Sequence, residues 1–214
     1  KTEFLSITSH QLRTPLSGIK GYMSMMVEGD FGKFSKEQGE VLDRVVAEVD
    51  RLIRMVQVFL NVSRIESGRL KIDKIEANIM DLVNTVIAEL KPSADAKGLG
   101  LEYQGPQQVI NVKADQDKLK DVVMNLTDNA IKYTQRGKVW LEVADQGDKV
   151  KVMVHDTGVG IDPEEAKGLF QKFARGKGIA KVSASGSGLG LFIAKKIVEA
   201  HGGEVWAESV GVGK

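Results

Sequence analysis

The chain has no cysteine among its 214 residues, which excludes disulfides, thiolate nucleophiles and cysteine-ligated zinc. That absence fits a reducing compartment, and the cytoplasm is the expected location. An excess of either charge is missing too: 30 basic and 29 acidic side chains leave a formal net charge of +1. They are interspersed, so neither a nucleic acid nor an anionic lipid surface is an expected partner. No apolar run reaches the roughly 18 residues of a spanning helix, and the amino terminus lacks the basic-then-apolar pattern of a secretory signal. The stretch is expected to be soluble, with no membrane contact of its own. Internal repeats and low-complexity tracts are absent as well. What is present is a 42% hydrophobic composition, enough for packed cores, over a length that favours two domains.

Over residues 4–27, Leu5, Leu12, Leu16, Ile19, Met23 and Met26 recur every three, four or seven positions, which predicts a helix with one apolar face. Pro15 lies inside it, so a kink just after His10 is expected, and Gly18 and Gly21 loosen the same stretch. Met23, Met25 and Met26 read as core filler. A glycine-bearing turn follows over 29–34. Ser35, with Gln38 three residues on, then has the form of a capping box and starts a second helix. Within it Leu42, Val45, Val49, Leu52, Val56 and Phe59 alternate spacings of three and four, a heptad seam. One hairpin of two such helices cannot bury its whole stripe. Two hairpins in a four-helix bundle can, which predicts a homodimer.

Near Ser67 and Gly68 the heptad stops, placing a domain boundary between residues 1–67 and 68–214. Alternation of Leu70, Ile72 and Ile75 predicts a short strand. Helical periodicity covers 79–94, 115–133 and 188–200, and strand patterns cover 99–103, 109–112, 138–143, 149–155 and 204–208. Together they predict one mixed sheet with helices on one face.

In the helix over 115–133, Leu119, Val122, Leu126 and Ala130 form the apolar stripe, while Asn125, Asn129 and Lys132 follow at spacings of four and three on another face. Carboxamide oxygens can coordinate magnesium, a lysine can meet phosphate, and Tyr133 offers an aromatic face. A solvated helix face would carry the same residues. Asp156 emerges where the strand of Val150, Val152 and Val154 ends. Its carboxylate can accept a hydrogen bond from an exocyclic amine while Gly158 and Gly160 admit a ring to the backbone; an ordinary tight turn is the alternative. The glycine-, serine- and lysine-rich stretch 175–190 opens into an apolar helix, offering amides and a helix dipole to an anion, as a phosphate lid or as a plain loop. Its glycines at 186, 188 and 190 match neither the dinucleotide fingerprint nor the Walker loop. His10 does not join the apolar stripe of its helix, and a surface histidine alone has no assigned role. His155 and His201 read as structural.

Taken in order, SHQLRTPL around His10, NLTDNAIKY at 125–133, DTGVGI at 156–161, FQKFARG at 170–176 and GSGLGL at 186–191 resemble the motifs of the catalytic core of sensor histidine kinases of two-component signalling. The likeness covers almost the whole chain. It implies an α plus α/β fold: an antiparallel helical hairpin forming a dimeric four-helix bundle, then a Bergerat-type α/β sandwich of the GHKL class that binds ATP. By the same likeness His10 is the phosphoacceptor and Thr14 orients water for phosphatase activity. Asn129 holds magnesium with help from Asn125, Lys132 contacts phosphate, Tyr133 lies against the nucleotide, and Asp156 reads the adenine amine, with Gly158 and Gly160 completing the pocket. Phe170 and Phe173 resemble the aromatic pair before the lid. Arg175 takes the place expected to reach the terminal phosphate, and Gly186, Gly188, Leu189 and Gly190 form the lid's closing motif.

The implied cofactors are ATP and Mg2+, and the implied partners are a second copy through the hairpin and a response-regulator receiver domain. The ATP-binding domain is expected to swing about residues 65–70, in a protein that is cytoplasmic or the cytoplasmic part of a membrane-bound sensor. A GHKL ATPase of another branch and a non-enzymatic nucleotide-sensing dimeric scaffold are the alternative functions.

Two departures from the family pattern stand out. Where the family usually has Glu or Asp after the histidine, accepting a hydrogen bond from one ring nitrogen and making the other a better nucleophile, this chain has Gln11, which can fix the tautomer without supplying charge. The chain also stops at 211–214, where family members continue into another strand, so a fragment is expected.

Overall fold

The computed structural model describes residues 2–32, 34–105, 108–174 and 188–211, of which residues 2–14, Arg54 and Pro163 are described in backbone only. The chain divides into two compact units, Lys1–Leu70 and Lys71–Lys214.

The first unit is a helical hairpin. Helix α1, Thr2–Glu28, runs through Pro15 without a break. Helix α2, Lys36–Glu66, starts on the expected capping box: Ser35 Oγ accepts from the Gln38 amide at 3.2 Å, and Gln38 Oε1 accepts from the Ser35 amide at 2.9 Å. Lys20 Nζ reaches Asp50 Oδ1 across the hairpin at 2.8 Å. The apolar seam of α2 is two stripes rather than one. Leu42, Val46, Val49, Ile53, Val56, Leu60 and Ser63 alternate spacings of four and three and are buried or half-buried. Val41, Val45, Leu52, Met55 and Phe59 lie beside them on the exposed surface. The seam read from the sequence had mixed members of both, because spacings of three and four cannot separate two adjacent stripes on one helix.

The second unit packs helices against strands. Strand β1, Ile75–Asn78, pairs antiparallel with β3, Asn111–Ala114. Strand β4, Lys138–Asp145, lies between β2, Gly100–Tyr103, to which it is parallel, and β5, Val150–Asp156, to which it is antiparallel. Among the described residues the strands therefore make two sheets, where the sequence predicted one. The alternation of β4 turns Val139, Leu141 and Val143 inward. They close one core with Val83 and Val86 of helix α3, Ile79–Ala96, and with Val123, Ala130 and Ile131 of helix α4, Gln116–Tyr133. A single turn, α5, Pro163–Ala166, precedes the last helix, α6, Gly190–His201, which ends on Gly202 in the left-handed region at φ 84°.

Two further sequence expectations are modified. The strand expected over 70–75 begins only at Ile75. Residues 204–208 alternate exposed and half-buried in strand fashion, yet form no assigned ladder.

Candidate functional site

Helix α4 is held at both ends. Asp115 caps its start, with Oδ1 accepting from the Lys118 amide at 3.1 Å and Oδ2 from the Asp73 amide at 3.1 Å. Partial burial pushes the Asp115 carboxyl up, but the two amides, aided by the Lys118 charge, outweigh it and hold the group below the ordinary aspartate value. The Asp115 amide in turn donates to His201 Nε2 at 3.0 Å, while His201 Nδ1 lies 2.8 Å from the Ile197 carbonyl. A ring nitrogen that accepts from an amide carries no proton, so the other nitrogen is the donor to Ile197. His201 therefore joins the end of α6 to the start of α4. That is the structural part expected of it.

Further along α4, Asn125 and Asn129 are half-buried one turn apart, and Asn129 Nδ2 donates to Asn125 Oδ1 at 3.0 Å. Gly190, at the start of α6, presses on this pair. A Cβ built there would sit 2.7 Å from Asn125 Nδ2 and 2.9 Å from Oδ1, closer than real side chains approach. The inward stripe of α4 runs through Val122, Val123, Thr127, Ala130 and Ile131, with Leu119 and Leu126 only half-buried. Its shift from the sequence reading follows from packing on two sides, α3 and the sheet on one and α6 on the other.

At the end of α4, Lys132 Nζ lies 5.3 Å from the centre of the Tyr133 ring. The Tyr133 carbonyl accepts from the Val159 amide at 3.3 Å, which attaches the helix to the glycine turn after β5. In that turn Asp156 Oδ1 accepts from the Gly158 amide at 2.8 Å, and a Cβ on Gly158 would fall 2.7 Å from both that oxygen and the Tyr133 carbonyl. Gly160 follows at φ 70°. Thr157 ties the same turn to the loop before β4: its Oγ1 accepts from the Lys138 amide at 3.0 Å and abuts Gly137. Thr134, fully buried, donates from Oγ1 to the Ala130 carbonyl at 2.8 Å. The Thr134 bond is a local one, four residues back along the helix end, whereas Thr157 acts through Lys138, a neighbour that only the fold supplies.

The two sides of the 175–187 stretch meet. The Phe173 amide donates to the Gly188 carbonyl at 2.9 Å, and a Cβ on Gly188 would lie 2.9 Å from the Phe173 Cα. Phe173 is 71% exposed and holds φ at 60°, alone among described non-glycine residues in the left-handed region. Phe170 is half-buried and Leu189 buried. Leu189, the residue before α6, makes no side-chain cap bond, and the positive end of the helix dipole lies at Gly190.

The structure thus brings together Asn125, Asn129 and Gly190, and separately Tyr133, Asp156 and Gly158. Arg175 and Gly186 lie outside the described residues. So do the side chains of His10, Gln11 and Thr14, whose backbone belongs to α1. Among the described residues no group of three or more histidine, aspartate or glutamate side chains could hold a metal. A hard cation here would rest on carboxamide oxygens completed by phosphate and water, a donor set that magnesium accepts. Among the described residues no helix is long and apolar enough to cross a membrane.

Two family models match. The His Kinase A (phospho-acceptor) domain covers residues 1–68, and the "Histidine kinase-, DNA gyrase B-, and HSP90-like ATPase" covers 114–214. The chain is similar to the sensor protein GacS of Pseudomonas syringae pv. syringae, 31% identical over 98% of this chain and 23% of that protein. It is similar also to the histidine protein kinase DivJ of Caulobacter vibrioides, 33% identical over 98% of this chain and 35% of that one. Among solved structures, full-length ShkA in complex with AMPPNP superposes over 98% of this chain and 44% of its own, with 26% identity and a TM-score of 0.76. The catalytic domain of histidine kinase ThkA matches over 63% of this chain and 88% of its own, with 30% identity and a TM-score of 0.56. The chain spans about a quarter of GacS and about half of the sensor protein SphS of Synechococcus elongatus.

Proposed function

The chain belongs to the sensor histidine kinases, as the catalytic core that joins a phospho-acceptor domain to an ATPase-type domain, and on that premise we propose that it phosphorylates its own His10 from ATP and passes the group to an aspartate of a response-regulator domain. The observation that carries this reading is the contact of Gly190 with Asn125. It sets the amino end of α6, the positive end of the helix dipole, beside a carboxamide pair, a place for phosphate oxygens next to oxygens for a hard cation.

Asp156 would accept the adenine amine while its other bond to the Gly158 amide holds the carboxylate in place. Tyr133 would lie against the base, Lys132 would meet a phosphate, and Asn129 with Asn125 would hold magnesium. Bound magnesium would offset charge on the phosphate oxygens. Leu189 would seat the closing lid, with Gly186, Gly188 and Gly190 giving amides to the phosphates, and Arg175 would reach the terminal one. One nitrogen of His10 attacks the γ-phosphorus, the bond to the β–γ bridging oxygen breaks, and ADP leaves, with positioning and charge supplying most of the rate. Gln11 would fix the His10 tautomer, and Thr14 would orient water when the regulator is dephosphorylated. The exposed second stripe of α2 supports a homodimer through the hairpin. The protein would work in the cytoplasm, or on the cytoplasmic side as part of a membrane-bound sensor.

Incubation with γ-labelled ATP and magnesium tests the reading. Label on the protein that is acid-labile, base-stable and lost in His10→Ala is the expected result. Free phosphate without protein label would indicate an ATPase, and nucleotide binding without turnover a scaffold; either outcome overturns the proposal.

A further inference from the structure

The last four carbonyls of an α-helix have no partner within it, and a buried or half-buried helix end needs a donor for each. In α4 those carbonyls belong to Ala130, Ile131, Lys132 and Tyr133, the residues that end at the proposed nucleotide contact. Each has a partner, the adjoining cap residue for Ala130 and groups from elsewhere in the fold for the other three. Ala130 receives the Thr134 amide at 3.0 Å and the Thr134 hydroxyl at 2.8 Å. Tyr133 receives the Val159 amide at 3.3 Å. The middle two share one donor, the ammonium group of Lys97, at 2.8 Å from Ile131 and 3.0 Å from Lys132. Lys97 lies more than thirty residues earlier, in the turn between α3 and β2. Its position is itself fixed, because its amide donates to the Ala94 carbonyl at 3.0 Å and Gly98 follows at φ 67°.

We propose that Lys97 is a positioning residue for the nucleotide: by capping the Ile131 and Lys132 carbonyls it holds the final turn of α4 wound, and with it the placement of Lys132 and Tyr133. This rests on the nucleotide site proposed above. A cation at a helix carboxyl end is favoured by the helix dipole, and hydrogen bonds from a charged donor are among the stronger ones. Without it, two carbonyls at the edge of the site turn to water, and the last turn can open before Thr134. The Tyr133 carbonyl is also the anchor of the Val159 amide. Loosening that turn therefore disturbs the helix end and the glycine turn after Asp156 together, the two sides between which a base would lie. Phosphate-side groups such as Asn125, two turns back, are not reached. The expected consequence is weaker ground-state binding with little change in the transfer step once nucleotide is bound.

The test compares Lys97→Met, which keeps the stem and removes the donor, with Lys97→Arg, which restores one. Val86→Ala serves as a control, a cavity in the α3 core away from the end of α4. Affinity for magnesium-AMPPNP is measured by calorimetry, thermal midpoints by fluorescence, and KM and kcat by autophosphorylation. Lys97→Met should raise Kd and KM by about fivefold with kcat within about twofold, the range of indirect coupling through a packed network. Lys97→Arg should recover most of the loss, and Val86→Ala should lower the midpoint without moving Kd. Wild-type protein that binds no nucleotide would defeat the site reading itself. Wild-type binding with an unchanged Kd in Lys97→Met, or a Val86→Ala effect on Kd as large for the same loss of midpoint, would overturn the role of Lys97 alone.

Discussion

Gly190 stands so close to Asn125 that a single methyl group would overlap the carboxamide, 2.7 Å from its nitrogen and 2.9 Å from its oxygen. Gly190 is also the first residue of α6, where alanine would ordinarily strengthen a helix. Stability and function are therefore expected to part at this position. In Gly190→Ala, Asn125 must rotate out of its bond with Asn129, and overpacking of this kind costs about 1–3 kcal/mol when it cannot be relieved. We expect nucleotide affinity to fall about tenfold or more, with a smaller loss of folding stability, since the helix propensity gained by alanine, about 1 kcal/mol, offsets part of the overpacking. Equal losses in both would mean that the contact is packing alone.

Gln11 follows the proposed phosphoacceptor directly. An amide oxygen can accept a hydrogen bond from one ring nitrogen and so select a tautomer, but it adds no negative charge to stabilise the imidazolium formed during transfer. Gln11→Glu is expected to speed autophosphorylation in kcat with the KM for ATP unchanged, since the residue lies on the acceptor side. An equal or lower rate in the variant would contradict this.

The Asp115 carboxyl, held below the ordinary aspartate value by two amides against partial burial, makes acid stability partly a property of the α4 cap. With the folded-state value lowered, the contribution is complete above the ordinary aspartate range and disappears as pH falls through the lowered one. Asp115→Asn keeps an acceptor for Lys118 but presents a donor or a second-rate contact to the Asp73 amide. It should lower stability at neutral pH by about 1 kcal/mol, and the gap to wild type should narrow below about pH 4. Chemical denaturation at neutral and acid pH reads both arms; a gap that stays constant would remove the charge from the argument.

How legible these features were depends on how far apart in sequence the partners lie. The Ser35–Gln38 capping box spans three residues and is written in the sequence. The Asn125–Asn129 pair spans one helical turn, so its juxtaposition follows from periodicity once the helix is assigned. Gly190 beside Asn125, Lys97 beneath Ile131, and Asp115 against His201 join elements that local pattern cannot pair. The order of motifs gave these segments a shared family context, but not the contacts through which they act. The extended run over 204–208 shows the converse: its alternation is genuine in exposure, yet alternation alone does not supply a paired edge. The two stripes of α2 were blurred for a different reason, since neighbouring stripes on one helix share the same period.

That second stripe yields the sharpest expectation for the hairpin. Val41, Val45, Leu52, Met55 and Phe59 lie along one side of α2, and Leu52, Met55 and Phe59 are each 45–49% exposed within a single hairpin. Ile19 and Met25 of α1 are exposed to a similar degree, at 42% and 41%. An exposed apolar stripe of this kind is what a second hairpin would cover in a four-helix bundle, whereas Val49 and Leu60 on the inner stripe are already buried. A charge on the outer stripe should therefore separate the subunits and leave each hairpin folded. Leu52→Glu combined with Phe59→Glu is expected to convert a dimer to a monomer by light scattering, with helical content by circular dichroism close to that of wild type. Val49→Glu, on the inner stripe, should instead unfold the hairpin. If the double variant remained dimeric, the outer stripe would not be the dimer contact, and if it lost its helices the two stripes would not be separable in function.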